Sequence, residues 1–320
     1  MTAGDAPAGA VPVPDGVVIV DKPAGITSHE VVHRVRRALG QAYPAARKRR
    51  HGHRVGHTGT LDPAATGVLV VCLGRATRLV PFLQAGRKTY DARMQLGRTT
   101  TTLDAEGEVV EERDATHIDE QQVCEALKDF VGPIEQIPPM VSAVKVGGER
   151  LHARARRGEQ VERAPRPVTI HDLVLEDFTP GPRPEVGFLV SCSAGTYIRT
   201  LADDVGRVLG VGGHLTALRR LASGGARISD AVTLDAVVTA IEEGEVESVM
   251  LRPAAAMALA DYPTVVLDDD AVTRLTHGRP LPPTGFDGPV AALDGAGRLV
   301  AVLEDRDGRA RSRVVLVPAP

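Results

Sequence analysis

One carboxylate stands out by its surroundings. In Gly56-His-Thr-Gly-Thr-Leu-Asp-Pro63, continued by Ala65-Thr-Gly67, Asp62 precedes a proline, which pushes its backbone toward an extended conformation. Gly56, Gly59 and Gly67 permit tight turns around it, and Thr58, Thr60 and Thr66 offer hydroxyls that can bond the loop internally. A carboxylate held in one orientation suits catalysis, which needs its groups placed to a fraction of an ångström. The same residues also fit an Asx-turn in which the aspartate only shapes the loop, and on local physics alone that plainer reading is favoured.

A second group of chemistry-bearing residues is Gly195-Thr-Tyr-Ile-Arg-Thr200, between an apolar strand-like run and a helical pattern. Tyr197 and Arg199 are two apart, on the same side if extended. Arg199 can pair with a carboxylate and keep it ionised. A surface arginine is the bland alternative, but a cation at a helix start opposes the helix dipole, which points to a purpose. Tyr90 falls on the apolar face of an alternating stretch. It reads as a core tyrosine or, at a cleft edge, as a ring that stacks on a planar ligand. His51, His53 and His57 raise a metal hypothesis. No cysteine or carboxylate lies close to them and their neighbours are basic, so contact with phosphate or base fits better than a cation.

The elements that must carry these residues follow from patterning. Residues 16–21 read as a buried strand. Thr27 and Glu30 have capping-box spacing before a helix to about Leu39, stopped by Gly40. Residues 41–57 form a loop. A strand is expected over 68–73, and 88–96 alternates, with Tyr90, Ala92, Met94 and Leu96 on one face. Residues 118–130 look helical, 186–192 alternate, and 199–209 and 214–221 read as helices. Near the end come a strand at 264–267, a helix at 269–276, and three strands split by Asp294-Gly295 and Asp307-Gly308 turns. The expected class is α+β, a mixed sheet with packed helices and a compact C-terminal β-rich module.

The 320 residues carry a net charge of −3, which by itself argues against a polyanionic partner, yet charge is segregated. Between Val31 and Leu61 there is no Asp or Glu, against eight Lys/Arg and four histidines, and a second basic stretch from Lys145 to Arg166 holds seven Lys/Arg against three Glu. Local fields, rather than net charge, steer a polyanion. Three widely spaced cysteines without zinc spacing predict a reducing compartment. No signal peptide or membrane span is read, so a cytoplasmic location is expected.

Taken in order, these segments resemble the TruB family of tRNA pseudouridine synthases. The resemblance runs over almost the whole chain: Asp21-Lys-Pro-Ala-Gly-Ile-Thr-Ser28, the Gly56–Gly67 loop, Gly74-Arg-Ala-Thr-Arg78, Lys88-Thr-Tyr90, Pro138-Pro-Met-Val-Ser-Ala-Val-Lys145, Arg166-Pro167, Gly195–Thr200 and Leu218-Arg-Arg220. One such motif is weak; their shared order is strong. The resemblance implies a mostly antiparallel pseudouridine synthase fold over 15–255, a disordered tail at 1–14, a thumb-like RNA-binding insertion at 138–166, and a PUA-like RNA-binding domain at 256–320. It implies isomerisation of the T-loop uridine 55 of tRNA. Asp62 would be the catalytic aspartate, Tyr90 the ring stacked on the target base, and Arg199 the arginine pairing with the aspartate, with Tyr197 beside it. His57 would contact the flipped region and Leu218 would wall the pocket. Arg78 stands where some members have a lysine, a planar fork replacing a point charge. No metal or cofactor is required, the partner is the tRNA T-arm, and a monomer without an obligatory protein partner is expected.

Three competing readings remain at this level. One is a non-catalytic tRNA-binding or tRNA-folding chaperone. A second is a guide-RNA-dependent synthase, disfavoured by the thumb segment. A third is a glycosidase, disfavoured because no second carboxylate of the usual pair is apparent.

Overall fold

The computed structural model describes residues 13–44, 53–140, 145–146, 149–150, 157, 159 and 161–317. The expected tail at 1–14, apart from its last two residues, lies outside them. So do the middle of the 41–57 loop, including His51, and about half of the 138–166 insertion. The chain contacts itself as two units: residues up to Gly86 with those from Ala222 onward, and Arg87–Leu221.

In the first unit, strand Gly16–Lys22 runs antiparallel to Thr66–Leu73, with Val18 opposite Val71 and Val20 opposite Leu69. It runs parallel to the short strand Val232–Thr233. Val55–His57 pairs antiparallel with Thr66–Leu73. Successive side chains leave on opposite faces, and both faces are covered. Val18, Val20, Leu69 and Val71 join Val31, Val35 and Leu39 of helix Ser28–Ala42 and Val237 and Ile241 of helix Leu234–Glu242. Val17, Ile19, Val68 and Val70 join Leu79, Phe82, Met257, Leu299 and Val302 on the other side. Double coverage explains why these strands read as unbroken apolar runs. The helix begins as its spacing predicts: Thr27 Oγ1 accepts from the Glu30 N–H at 3.0 Å. It continues past Gly40 to Ala42, because one interior glycine costs only about 1 kcal/mol and the Tyr43 N–H still bonds Leu39 O at 2.9 Å.

The C-terminal part of this unit is a four-stranded sheet in the order Thr264–Val266, Pro289–Leu293, Leu299–Arg306, Arg309–Val315. Asp307, at φ 53°, and Gly308, at φ 69°, make its last turn. One face packs with Leu275 of helix Asp269–Thr276 around Val290, Val300 and Leu303. The other face contributes Ala291, Leu299 and Val302 to the cluster under Val17 and Ile19. The boundary expected between 255 and 256 thus falls inside one compact unit.

In the second unit, Lys88–Leu96, Glu185–Cys192, Arg166–Thr179 and Gly132–Gln136 form successive antiparallel pairs. Tyr90, Ala92, Met94 and Leu96 are buried, as the alternation predicts, and Lys88 is buried on the same face. Helices Glu120–Lys128 and Ile198–Val208 belong to this unit. The helix expected at 214–221 is instead part of strand Gly213–Ser223. Its leucines, alanine and arginines are good helix formers, but propensity is worth only tenths of a kcal/mol per residue and tertiary context overrides it. Here Leu215 N–H bonds Leu103 O at 3.0 Å and His214 Nδ1 lies 3.1 Å from Arg98 O, which draws the segment out straight.

Candidate active site

Asp62 is half-buried in the turn before strand Thr66–Leu73, and its carbonyl accepts from the Ala65 N–H at 3.2 Å. The turn is held from outside, on both sides of the aspartate. Before it, the buried Ser28 hydroxyl donates to Leu61 O at 3.0 Å and accepts from the Leu61 N–H at 2.8 Å. After it, Lys22 Nζ donates to Pro63 O at 3.1 Å. Lys22 is fully buried, and its ammonium also donates to Pro23 O at 2.8 Å and Ile26 O at 2.6 Å. Three N–H donors thus meet three carbonyls. The Gly25 N–H adds a second bond to Pro63 O at 2.9 Å, from a backbone at φ 82° that favours glycine. Of the three glycines around Asp62, only Gly67 adopts a left-handed φ, 98°; Gly56 lies within a strand. Neither Lys22 nor Ser28 drew notice for its own chemistry. The available signal was a lysine closing a buried apolar strand, two residues ahead of a small-residue turn.

His57 is half-buried on strand Val55–His57. Its Nδ1 accepts from the Gly59 N–H at 3.3 Å, which places the proton of the neutral ring on Nε2. Arg78 is exposed on the short 3-10 helix Gly74–Leu79 and donates to the carbonyl of Val315, bracing the C-terminal sheet. Among the described residues, no group of three or more His, Cys, Asp or Glu is placed to hold a metal ion.

In the second unit, Arg199 is buried at the start of helix Ile198–Val208. Its Nη1 donates to Asp104 Oδ2 and to Thr102 O, both at 3.1 Å. Asp104 is itself held, accepting from the Glu106 N–H at 3.1 Å and from the Thr102 hydroxyl. With the side chains only 6% and 16% exposed, the pair is weakly screened. Its carboxylate offsets the unfavourable placement of a cation at a helix N-terminus. Sequence reasoning did not single out Asp104; its signal was the Thr-rich turn ending Asp104-Ala-Glu-Gly107.

Tyr197 caps the same helix, and the buried side chain of Gln136 grips its backbone in both directions. The Tyr197 N–H donates to Gln136 Oε1 at 2.9 Å, and Gln136 Nε2 donates to Tyr197 O at 3.2 Å. Tyr90 shares its buried strand face with Lys88, whose ammonium is pushed down to about 8, first by burial and then by the Arg220 charge. Leu218 is half-buried on strand Gly213–Ser223, two residues before the fully buried Arg220. Five of the expected residues therefore fall into three local groups, His57 with Asp62, Tyr90 with the newly found Lys88, and Tyr197 with Arg199, while Arg78 and Leu218 stand on separate elements. Such a set can supply a rigid carboxylate, aromatic surface for a planar base, and fixed cations.

Three family models match in succession. "TruB family pseudouridylate synthase (N terminal domain)" matches residues 47–198, "tRNA pseudouridylate synthase B C-terminal domain" 199–257, and "tRNA Pseudouridine synthase II, C terminal" 262–317. The tRNA pseudouridine synthase B of Thermobifida fusca is 47% identical over 94% of this chain and 98% of its own. That of Rhodococcus jostii is 43% identical over 100% and 99%. Among solved structures, a crystal structure of a Cbf5-Nop10-Gar1 complex aligns with a TM-score of 0.71 at 28% identity, covering 95% of this chain and 85% of that one. An H/ACA RNP bound to a substrate RNA containing 2′-deoxyuridine aligns with 0.70 at 26%, covering 95% and 86%.

Proposed function

The chain belongs to the TruB family of pseudouridylate synthases, and from that premise we propose how its residues divide the work of a tRNA pseudouridine synthase. It isomerises a uridine of tRNA, and the uridine is the one at position 55 of the T-loop. Asp62 is the catalytic carboxylate. The observation that carries this assignment is the clamp on its turn, with Ser28 on Leu61 and Lys22 on Pro63. A purely loop-shaping aspartate needs no such external support.

A uridine inside a folded loop must first leave its stack. The N1–C1′ bond then breaks, the uracil turns, and a C5–C1′ bond forms. C5 loses its proton and N1 gains one, so no atom is added and no cofactor is consumed. Asp62 serves either by attacking C1′ or by taking a proton from the ribose, and both routes need it ionised. Arg199, braced by Asp104, favours that ionised state. Tyr90 stacks on the detached uracil, and Leu218 and Tyr197 help exclude water that would otherwise leave an abasic site. His57 contacts the flipped region, and Arg78 meets the RNA from the segment it shares with the C-terminal sheet.

The remainder of the proposal is architectural. Residues 15–255 form the catalytic domain, 138–166 the thumb that closes on the T-arm, and 256–320 a PUA-like RNA-binding domain. The protein acts in the cytoplasm as a monomer, with the tRNA T-arm as its partner and no obligatory protein subunit. No helix among the described residues is long and apolar enough to cross a membrane.

The test maps pseudouridine in an unmodified tRNA transcript incubated with wild-type protein or Asp62→Asn, without metal or cofactor. A carbodiimide-dependent reverse-transcription stop at the T-loop uridine is expected with wild type. In the variant the rate should fall at least about a thousandfold while tRNA affinity stays near wild type. Equal loss of binding and chemistry would overturn the assignment of Asp62. Tight binding with no stop from either protein would favour the chaperone reading.

A further inference from the structure

The acid-free window of the sequence has a structural counterpart that the proposed roles touch only through His57. Arg36, His53, Arg54 and His57 line an open recess of about 480 Å³, floored by Val55 and Val80, with no Asp or Glu in its wall. Every one of these residues belongs to the first unit. We propose that this recess holds a backbone phosphodiester of the RNA, with Arg36 and Arg54 as its two cations. The inference rests on the reading that the chain acts on tRNA.

The two arginines differ from Arg34 and Arg75 in how their charge is met. Arg34, on the helix of Arg36, is paired with Asp235 at 2.6 Å, and Arg75, on the 3-10 helix Gly74–Leu79, lies 3.7 Å from Asp15. Arg36 donates only to a carbonyl, Val55 O at 3.0 Å, which orients the guanidinium at the recess wall without neutralising it. Arg54 is exposed, and its guanidinium meets no carboxylate among the described residues. His53 is oriented too, its Nε2 lying 2.9 Å from Tyr43 O.

Charge-assisted bonds from guanidinium to phosphate are strong and directional, and uncompensated arginines are the residues expected to meet a polyanion's backbone. The recess also shares strand Val55–His57 with His57. A phosphate seated there would fix the register of the RNA beside the residue assigned to the flipped region, without reading its sequence.

The experiment measures tRNA affinity by filter binding across a salt series, together with pseudouridine formation, for wild type, R36Q, R54Q, R54K and the control R34Q. R36Q and R54Q should each bind about tenfold more weakly at moderate salt. Each should also lower the slope of log K against log salt by about one. R54K should keep the slope, since the charge is retained. R34Q, whose partner is Asp235, should match wild type. An unchanged slope in R36Q and R54Q, with wild-type binding and modification intact, would overturn the proposal. So would a slope loss in R34Q as large as in R54Q, which would reduce the effect to overall charge. A wild-type protein that neither binds nor modifies tRNA would instead refute the functional reading on which the proposal rests.

Discussion

Two regions of the molecule fix a charged group, and they do so by different means. Around Asp62 it is the backbone that is gripped: Ser28 holds Leu61, and Lys22 and Gly25 hold Pro63. Around Arg199 it is the charged side chain itself, held by Asp104 and Thr102 O, while Gln136 secures the adjacent Tyr197 backbone. The difference suits the proposed chemistry. A carboxylate that must react is placed most rigidly when the main chain on both sides of it is held. A cation that only stabilises charge can be tied down through its own nitrogens.

Breaking the first grip should have the largest effect. Lys22→Met removes the ammonium from Pro23 O, Ile26 O and Pro63 O, of which Pro63 O keeps the Gly25 N–H. Stability should fall by about 3 kcal/mol in urea unfolding, and turnover by about a hundredfold at a temperature where the variant is folded, because misplacing a reacting group by an ångström costs that much. A folded variant with full activity would show that the clamp does not place Asp62. Asp104→Asn is next. It removes the charge that faces buried Arg199, and should cost about 2 kcal/mol and about tenfold in single-turnover rate, with tRNA affinity nearly kept. A loss of affinity without a loss of rate would assign Arg199 to binding alone. Ser28→Ala deprives Leu61 of both its bonds and should cost about 1–2 kcal/mol, with a smaller loss of turnover than Lys22→Met.

The smallest effect concerns Lys88, a further buried cation of the second unit, whose pKa falls from 10.5 to about 8 on folding. Between those values the unfolded chain holds a proton that the folded chain has released, so folding stability should rise with pH across the interval. Lys88→Met should lack this rise. Denaturation at pH 8 and pH 10.5 for both proteins checks it, and equal pH dependence would show that Lys88 is charged in the fold.

Much of this was legible from local chemistry. The Asp62 loop announced itself through its glycines, threonines and proline, the Thr27 cap through its spacing, and the strand of Tyr90 through its alternation. Each depends on residues a few positions apart, where covalent geometry and side-chain period decide the outcome. Lys22 and Asp104 were not legible in the same way. A lysine after an apolar run reads as a surface residue, since an unpaired ammonium is costly to bury. Only the approach of Pro63, forty-one positions on, completes the set of carbonyls that makes its burial tolerable. Asp104 likewise acquires its role from an arginine ninety-five residues away.

The sequence by itself determined which residues could do chemistry, the order of the motifs, and the periodicity of the strands and of the first helix. The tertiary structure alone decided that 213–223 is a strand, that Lys22 is a buried brace, that Asp104 faces Arg199, and that Arg36 and Arg54 share a recess without an acid. The physical reason is the range of the interactions. Propensity and capping act within a turn or two of chain, whereas burial and charge pairing depend on which distant segments the packed core brings into contact.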